Sequence, residues 1–448
     1  MAVTNAGSSP LTFTNLPVGI QVTKITDTSA DWASVSNSTY FYDKADGLVH
    51  YKNSSGVVLE LFSAGGLTYF TEAEATSSPN NTVYVDSLTA AASSTNADAV
   101  IRPKGNGAFI LAIPDNTTTG GNKRGQYAVD LCLGDRGNPN QVASGNYSAV
   151  IGGRYVKAAG TASFATGDSC SANGPYSFAA GQSNTINGNF SIGIGGSNST
   201  AQDFNIAMGT SNTCTVEYYA YALGHANAAS NRANAFGYAN TSSGLYSHSF
   251  GKSNTASGAD STALGSNNVS SASGATSLGV SNTANGSYSN AQGYQSHVFG
   301  IYGRQSYASG QESTAGDSQA SKFVLHERTT DATATTLTTN SSAASTTNQV
   351  ILSNQSAYRF KGTIIGKKSG TTDIAAWDVD GLIVRGANAA ATTLVVGNVN
   401  LVSNAPVWGT PTLAADTTNG GLQVQVTGFL ATNIQWTATI ETTEVIYA

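Results

Sequence analysis

Ser261-Thr262-Ala263-Leu264-Gly265-Ser266-Asn267-Asn268 is answered fourteen residues later by Ala275-Thr276-Ser277-Leu278-Gly279-Val280-Ser281-Asn282. The same frame runs through residues 141–310. Its glycines fall at Gly152, Gly167, Gly181, Gly195, Gly209, Gly224, Gly237, Gly251, Gly265, Gly279 and Gly293, mostly fourteen apart. Asn stands three residues after most of them, as in Asn184, Asn198, Asn212 and Asn227. A second Gly often stands seven before, Ser four before, an aromatic five before and a large apolar residue one before. Self-similarity at a fixed short period is the mark of a solenoid. Between the two glycines, alternation as in Tyr147-Ser148-Ala149-Val150-Ile151 puts the larger residues on one face of a strand and the small ones on the other. Gly and Asn are read as the places where the chain reverses, because both tolerate positive φ.

Each unit is therefore expected to be a rung of two short strands and two turns. Rungs stacking in parallel about 4.8 Å apart give a roll roughly 50 Å long. One rung buries too little apolar surface to offset the ordering of its backbone, so rungs must share ladders with their neighbours. The face lined by Ser and Ala is expected to allow close approach by another chain, which makes the protein an obligate oligomer.

Composition agrees with an all-β reading. The chain has 448 residues, 40% apolar but only 10% charged, with 49 Gly and 9 Pro. Most of the remainder is Ser, Thr, Asn and Gln, which favour turns and strands over helices. The 20 Tyr, 15 Phe and 4 Trp are too many for a disordered chain. A net charge of −6 lacks the basic footprint of a nucleic-acid binder. Cys132, Cys170 and Cys214 are widely spaced and form neither a disulfide framework nor a metal-ligand pair. Residues 1–7 show no basic and apolar leader, so no secretory signal is expected. No apolar run is long enough for a membrane helix, and no membrane insertion is expected.

The repeats Ser148-Ala149-Val150-Ile151-Gly152, Ser261-Thr262-Ala263-Leu264-Gly265 and Ala275-Thr276-Ser277-Leu278-Gly279 resemble the head repeats of trimeric autotransporter adhesins, a left-handed parallel β-roll. The same roll occurs in bacteriophage tail fibres. Asn122-Lys123-Arg124-Gly125, residues 141–148, and Tyr358-Arg359-Phe360-Lys361-Gly362 with Ala375-Ala376-Trp377 look more like those fibres. The resemblance implies an elongated fibrous homotrimer whose N-terminal part attaches to other tail or baseplate proteins.

Three regions are expected. Residues 1–140 form a β-rich attachment region, with a hairpin from residues 40–42 and 48–51 across Asp46-Gly47, a strand at 57–62, a linker at 75–81 and a strand from 82. Residues 141–310 form the shaft. Residues 311–448 carry strand candidates at 349–352, 358–365, 374–377, 382–385, 392–396, 422–426 and 434–440, with 329–347 as strand or loop. They are read as a C-terminal β-sandwich or jelly-roll knob that binds a receptor.

Catalytic patterns are sparse in the sequence. The roll holds four carboxylates, Asp168, Asp203, Glu217 and Asp260. Asp203 and Glu217 are fourteen apart and would stack on adjacent rungs, where they could couple protons or hold a cation; two solvated carboxylates is the simpler reading. None of His50, His225, His248, His297 and His326 pairs at metal-ligand spacing, although a threefold axis could gather three copies of His248. Gly105-Asn106-Gly107 and Gly120-Gly121 lack the residues of a phosphate loop and read as turns. Binding is the better fit. Aromatic platforms beside neutral hydrogen-bonding groups suit sugars, and Trp408, Trp377 and Tyr358 are the receptor-binding candidates. Lys367 and Lys368 are candidates for an acidic glycan, and Trp436 is assigned to the core.

The expectation is a tail fibre located in the virion, without enzymatic activity, cofactor or metal, recognising a host-surface glycan or protein. A bacterial trimeric surface adhesin and a tailspike depolymerase are the alternatives.

Overall fold

The computed structural model describes residues 24–26, 32–33, 35–43, 48–60, 70–75, 85–90, 96, 98–133, 136–216, 218–404 and 408–447. The chain divides into two compact units, Met1–Arg102 and Pro103–Ala448. Strands make up 49% of the protein, and among the described residues there is no α-helix.

In the first unit, Thr39–Asp43 and Leu48–Lys52 pair antiparallel with Phe41 opposite His50, as expected of a hairpin. Its turn, residues 44–47, lies outside the described residues. Lys24–Thr26 adds in parallel on one side and Val58–Glu60 antiparallel on the other. Trp32 packs against Phe41 and His50, and its indole Nε1–H donates to Asp43 at 2.5 Å. Phe70–Ala75 and Val85–Ala90 form a separate antiparallel pair. Of the expected linker at 75–81, Ala75 ends the strand Phe70–Ala75, and 76–81, with the expected strand start at 82–84, fall outside the described residues.

The second unit begins with a parallel β-solenoid of about 11 turns. A typical rung has a five-residue strand such as Thr262–Ser266 and a two-residue strand such as Val269–Ser270. Both pair in register with the next rung, Gly265 with Gly279 and Val269 with Thr283. The longer ladder reaches through Ala149–Val150, in the first unit of the repeat, to Val129–Asp130 and Phe109–Ile110, upstream of it.

The faces are the reverse of the sequence expectation. Ser and Ala do not line an outer surface; they fill the interior. Ala165, Ala179, Ala207, Ala222, Ala235 and Ala263 on the longer strands are buried. So, on the shorter strands, are Ala172, Ile186, Thr200, Cys214, Ser242 and Ala256. The large residues point out: Tyr176 is 56% exposed, Phe190 50%, Leu264 43% and Leu278 42%. The physical reason is width. Two walls joined by tight turns leave room for only a small pair of side chains between them. Where one wall brings the large Ile186, the facing residue is Gly193, whose added Cβ would overlap the Ile186 side chain. Where one wall brings Ser, the other does too: Ser242 meets Ser249 at 2.5 Å and Ser270 meets Ser277 at 2.6 Å, Oγ to Oγ.

The asparagines three after the repeat glycines are not positive-φ residues either, although Asn231 and Asn267 are. That conformation falls on Ser183 and Ser197, just before Asn184 and Asn198, and on the aromatic position, with Tyr176 at φ 56° and Phe190 at φ 52°. The asparagines instead form a buried amide ladder. Asn240 Nδ2 donates to the Phe236 carbonyl at 2.9 Å, the Gly251 carbonyl at 2.7 Å and Asn227 Oδ1 at 3.1 Å. Its own Oδ1 accepts from the backbone N–H and the Nδ2 of Asn254. Cys170 begins the row, its Sγ accepting from Asn184 Nδ2 at 3.7 Å, and Ser296 ends it, its backbone N–H donating to Asn282 Oδ1 at 2.9 Å.

Beyond the last rung, Gln305–Ser309 pairs antiparallel with Ser318–Thr329. From there one sheet runs in the order Ser318–Thr329, Ile434–Ile446, Ser356–Lys368, Ile374–Arg385, Thr392–Asn404. A second sheet holds Ala334–Thr336, Gly421–Thr427, Val350–Ile351 and Gly409–Asp416. Phe323, Leu325, Phe360 and Trp436 of the first meet Leu422, Val424 and Val426 of the second in one core. The expected segments 374–377 and 382–385 are a single strand, Ile374–Arg385. Ser318–Thr329 and Gly409–Asp416 were not anticipated.

Candidate functional site

Alternation along the long strands decides what reaches the surface. In Ser356–Lys368, Tyr358, Phe360 and Ile364 turn inward, while Arg359, Lys361, Thr363, Ile365 and Lys367 turn outward. Ile434–Ile446 follows the same rule, with Trp436, Ala438 and Ile440 inside and Gln435, Thr443 and Val445 outside. The register therefore lays outward side chains in rows across strands. One row reads Lys322, Glu441, Lys361, Asp380, Asn398.

Three grooves open on this face. The one nearest the solenoid, about 560 Å³, is lined by Gln292, Tyr307, Lys322, Arg359, Lys361 and Glu441 among others. The next, about 490 Å³, adds Thr363, Asp378 and Asp380. The third, about 510 Å³, holds Arg328, Lys367, Lys368, Asn433 and Gln435. In the first two the charges compensate one another: Arg359 pairs with Asp380 at 2.8 Å and Lys361 with Glu441 at 3.4 Å. Sugars are held by such a mixture of hydrogen-bonding side chains beside an aromatic ring, and Tyr307, 58% exposed, supplies the ring.

The aromatic candidates from the sequence are elsewhere. Trp377, Trp408 and Tyr358 are buried between the two sheets, with Trp377 and Trp408 both packed against Trp436. They correct the expectation of surface platforms: Tyr358 and Trp377 point inward from their strands, Trp408 is buried just before the strand Gly409–Asp416, and a sandwich core needs large rings to fill the space between layers. Burial, then the nearby Glu444 carboxylate, pushes the Tyr358 phenol up to about 12. Trp436, assigned to the core, is there, its indole N–H donating to Thr329 Oγ1 at 2.9 Å. Lys367 and Lys368 lie at the surface, at the third groove. Lys367 Nζ donates to the Thr371 carbonyl at 2.6 Å, and Lys368 Nζ lies 3.6 Å from Asp373.

Two of the four carboxylates named in the solenoid are held by neighbouring side chains or backbone. Asp168 accepts from Arg154 at 2.5 Å, which, with Ser169, holds it below the ordinary carboxylate range. Asp203 accepts from the Asn189 backbone at 2.7 Å. Glu217, its expected partner, lies outside the described residues. His248 Nδ1 contacts Asn234 Nδ2 at 3.0 Å, and His326 Nδ1 contacts Ser341 Oγ at 2.7 Å.

Sequence reasoning missed a buried polar knot where the solenoid meets the sandwich. Arg304 pairs with Glu444, and Glu444 also accepts from Gln319 at 2.9 Å and Thr442 at 2.6 Å. Arg304 lies over the rings of Phe299 and Phe323. Arg304 and Glu444 are 140 residues apart, and no local pattern links them.

No family model and no curated protein matches the chain. Solved structures to which it is similar include the tailspike protein gp49 of Acinetobacter baumannii bacteriophage Fri1, a capsular polysaccharide depolymerase. That match has 9% identity and a TM-score of 0.19, and covers 66% of this chain and 61% of that one. Another is the tailspike protein of the Acinetobacter phage vB_ApiP_P1, at 9% identity and a TM-score of 0.18, covering 95% of this chain and 100% of that one. The chain thus spans about 61% of the length of the first. With a depolymerase among the similar structures, the expectation that the chain is not an enzyme is withdrawn. No catalytic residue is carried across from either.

Proposed function

We propose that the chain is a host-attachment protein of a bacteriophage tail, located in the virion, and that the outward face of its C-terminal sheet binds a bacterial surface polysaccharide. The observation that carries the reading is the run of grooves on that face, where an exposed Tyr307, paired charges and neutral amides stand together. The resemblance of the repeat to tail-fibre rolls supports reading this face as part of a phage protein. In this reading residues 1–140 attach, 141–310 space and 311–448 bind.

The working form is a homotrimer. Its support is the ridge of outward apolar residues one before the repeat glycine, with Ile194, Met208, Leu264 and Leu278 all more than a third exposed. A monomer rarely leaves so long an apolar strip in water. Three weak sites on one particle then act together.

The test applies the full chain to an array of bacterial capsular and lipopolysaccharide polymers, with the chain length of each bound polymer followed by size-exclusion chromatography. Saturable binding supports the reading, and shortening of the bound polymer identifies cleavage. Binding to none of them overturns it. Sedimentation equilibrium at three times the 45.6 kDa chain mass supports the trimer, and a stable monomer overturns it.

A further inference from the structure

The three grooves differ in charge. Near the solenoid, Arg359 and Lys361 already face Asp380 and Glu441. At the far end, Arg328, Gln435 and Lys367 stand opposite one another across three strands, which sets the Cα atoms of the two basic residues about 10 Å apart with an amide-bearing residue between them. Among the described residues the Arg328 side chain has neither an ion pair nor a hydrogen-bond partner. Lys367 gives one of its three donors to Thr371. Lys368 shares Asp373 at 3.6 Å. Glu327 accepts from the Arg328 backbone N–H at 2.9 Å, and its alternation places it on the other side of the strand from Arg328. The groove thus holds three cations and one close carboxylate, in a chain whose net charge is −6.

Resting on the polysaccharide-binding reading, the geometry points to this groove as the seat of a carboxylate-bearing sugar, a uronic acid unit of the bound polymer. The planar guanidinium of Arg328 matches a carboxylate through two parallel N–H···O bonds. Lys367 adds a second donor from across the row. Asn433, Gln435 and Thr437 offer the neutral donors and acceptors that sugar hydroxyls require. The volume of about 510 Å³ lies within the range of small-ligand sites, about 300–1,000 Å³. The remaining polymer would run along the charge-compensated grooves toward Tyr307.

The experiment measures binding of the full chain to a uronate oligosaccharide and to the same oligosaccharide with its carboxyl groups reduced to alcohols, at low and high salt. The acidic form should bind about 10-fold more tightly, as charge-assisted hydrogen bonds do over neutral ones, and lose that advantage as salt screens it. Arg328→Gln should remove the preference and leave the reduced form unaffected, and Lys367→Gln should remove part of it. Equal affinity for both forms, no binding of either, or an unchanged preference in Arg328→Gln overturns the inference. The outcomes separate from those of the parent reading. Bacterial polysaccharides bound without regard to Arg328 sink the acidic seat and leave host attachment standing. Uronate bound at Arg328 with silence on every bacterial polymer sinks host attachment alone.

Discussion

The solenoid and the terminal sandwich hold themselves together by opposite means. The sandwich buries three tryptophans, Phe323, Phe360 and a row of aliphatic residues between two sheets. The solenoid buries Ala, Ser and Cys between its walls and turns its aromatics outward. Its cohesion lies in backbone ladders and in the asparagine row. Apolar burial is non-directional and tolerates repacking, whereas a ladder demands that each rung repeat the one before. The solenoid should therefore be sensitive to changes of backbone and amide, and the sandwich to changes of volume.

Gly265→Ala should strike hardest. Gly265 has φ 121°, and an added Cβ would sit inside the carbonyl oxygen of Gly279 on the next rung. Neither conformation nor space accepts a methyl group, so the ladder should break there, and thermal unfolding should show a split or lost solenoid transition. Gly196→Ala, on an ordinary φ with its nearest neighbour 3.7 Å from the added Cβ, should leave the same melting curve nearly unchanged. Equal effects at the two positions would remove backbone approach as the organising constraint.

In the sandwich, Trp436→Ala should cost about 4 kcal/mol by opening a cavity between the sheets, read as a shift in the denaturant midpoint. It also leaves Thr329 Oγ1 without its indole donor. Asn240→Ala in the middle of the solenoid removes five hydrogen bonds with little change of apolar area. It should cost about 3 kcal/mol, because the amide and carbonyl groups left behind stay buried and unpaired. Asn240→Leu, which restores apolar volume, should do no better. A rescue by Leu would mean that the row acts by filling space.

The period, the rung and the all-β character were readable because each recurs every fourteen residues. The direction of the faces was not. Larger residues on one side and Ser or Ala on the other ordinarily mean an apolar interior, and here the narrow gap between walls inverts that. The signal that marks the interior spans half a rung. Ile186 is matched by Gly193 seven residues on, Ser242 by Ser249 and Ser270 by Ser277. At the site, Lys367 and Lys368 stood out as adjacent basic residues. Arg328 did not, because its strand begins with inward Gln319 and Ser321 and shows no apolar alternation until Phe323. Trp408 misled because a Trp near prolines outside a strand reads as exposed, while its ring packs inward against Trp436.

The junction between the two regions gives the smallest effect and the sharpest pH signature. His297 sits in the last turns of the solenoid. Its backbone N–H donates to Gln319 Oε1 at 3.0 Å and its carbonyl accepts from Gln319 Nε2 at 2.9 Å. Burial, then the Arg304 charge, lowers its pKa from 6.5 to about 4. A base whose folded pKa lies below its unfolded one binds fewer protons in the fold. Its contribution is complete above pH 6.5 and is lost as pH falls toward 4. Between pH 7 and pH 5 the loss should be about 2 kcal/mol, read from denaturant midpoints across that range. His297→Gln should flatten the dependence there. Below about 4 a second loss should remain in both proteins, because Asp115, Asp168, Asp317, Asp331 and Asp416 have lowered pKa values and take up protons only in that lower range. A variant that keeps the full slope between pH 7 and pH 5 would show that the knot around Arg304 does not hold His297 neutral, and that the join between ladder and sandwich is looser than its hydrogen bonds imply.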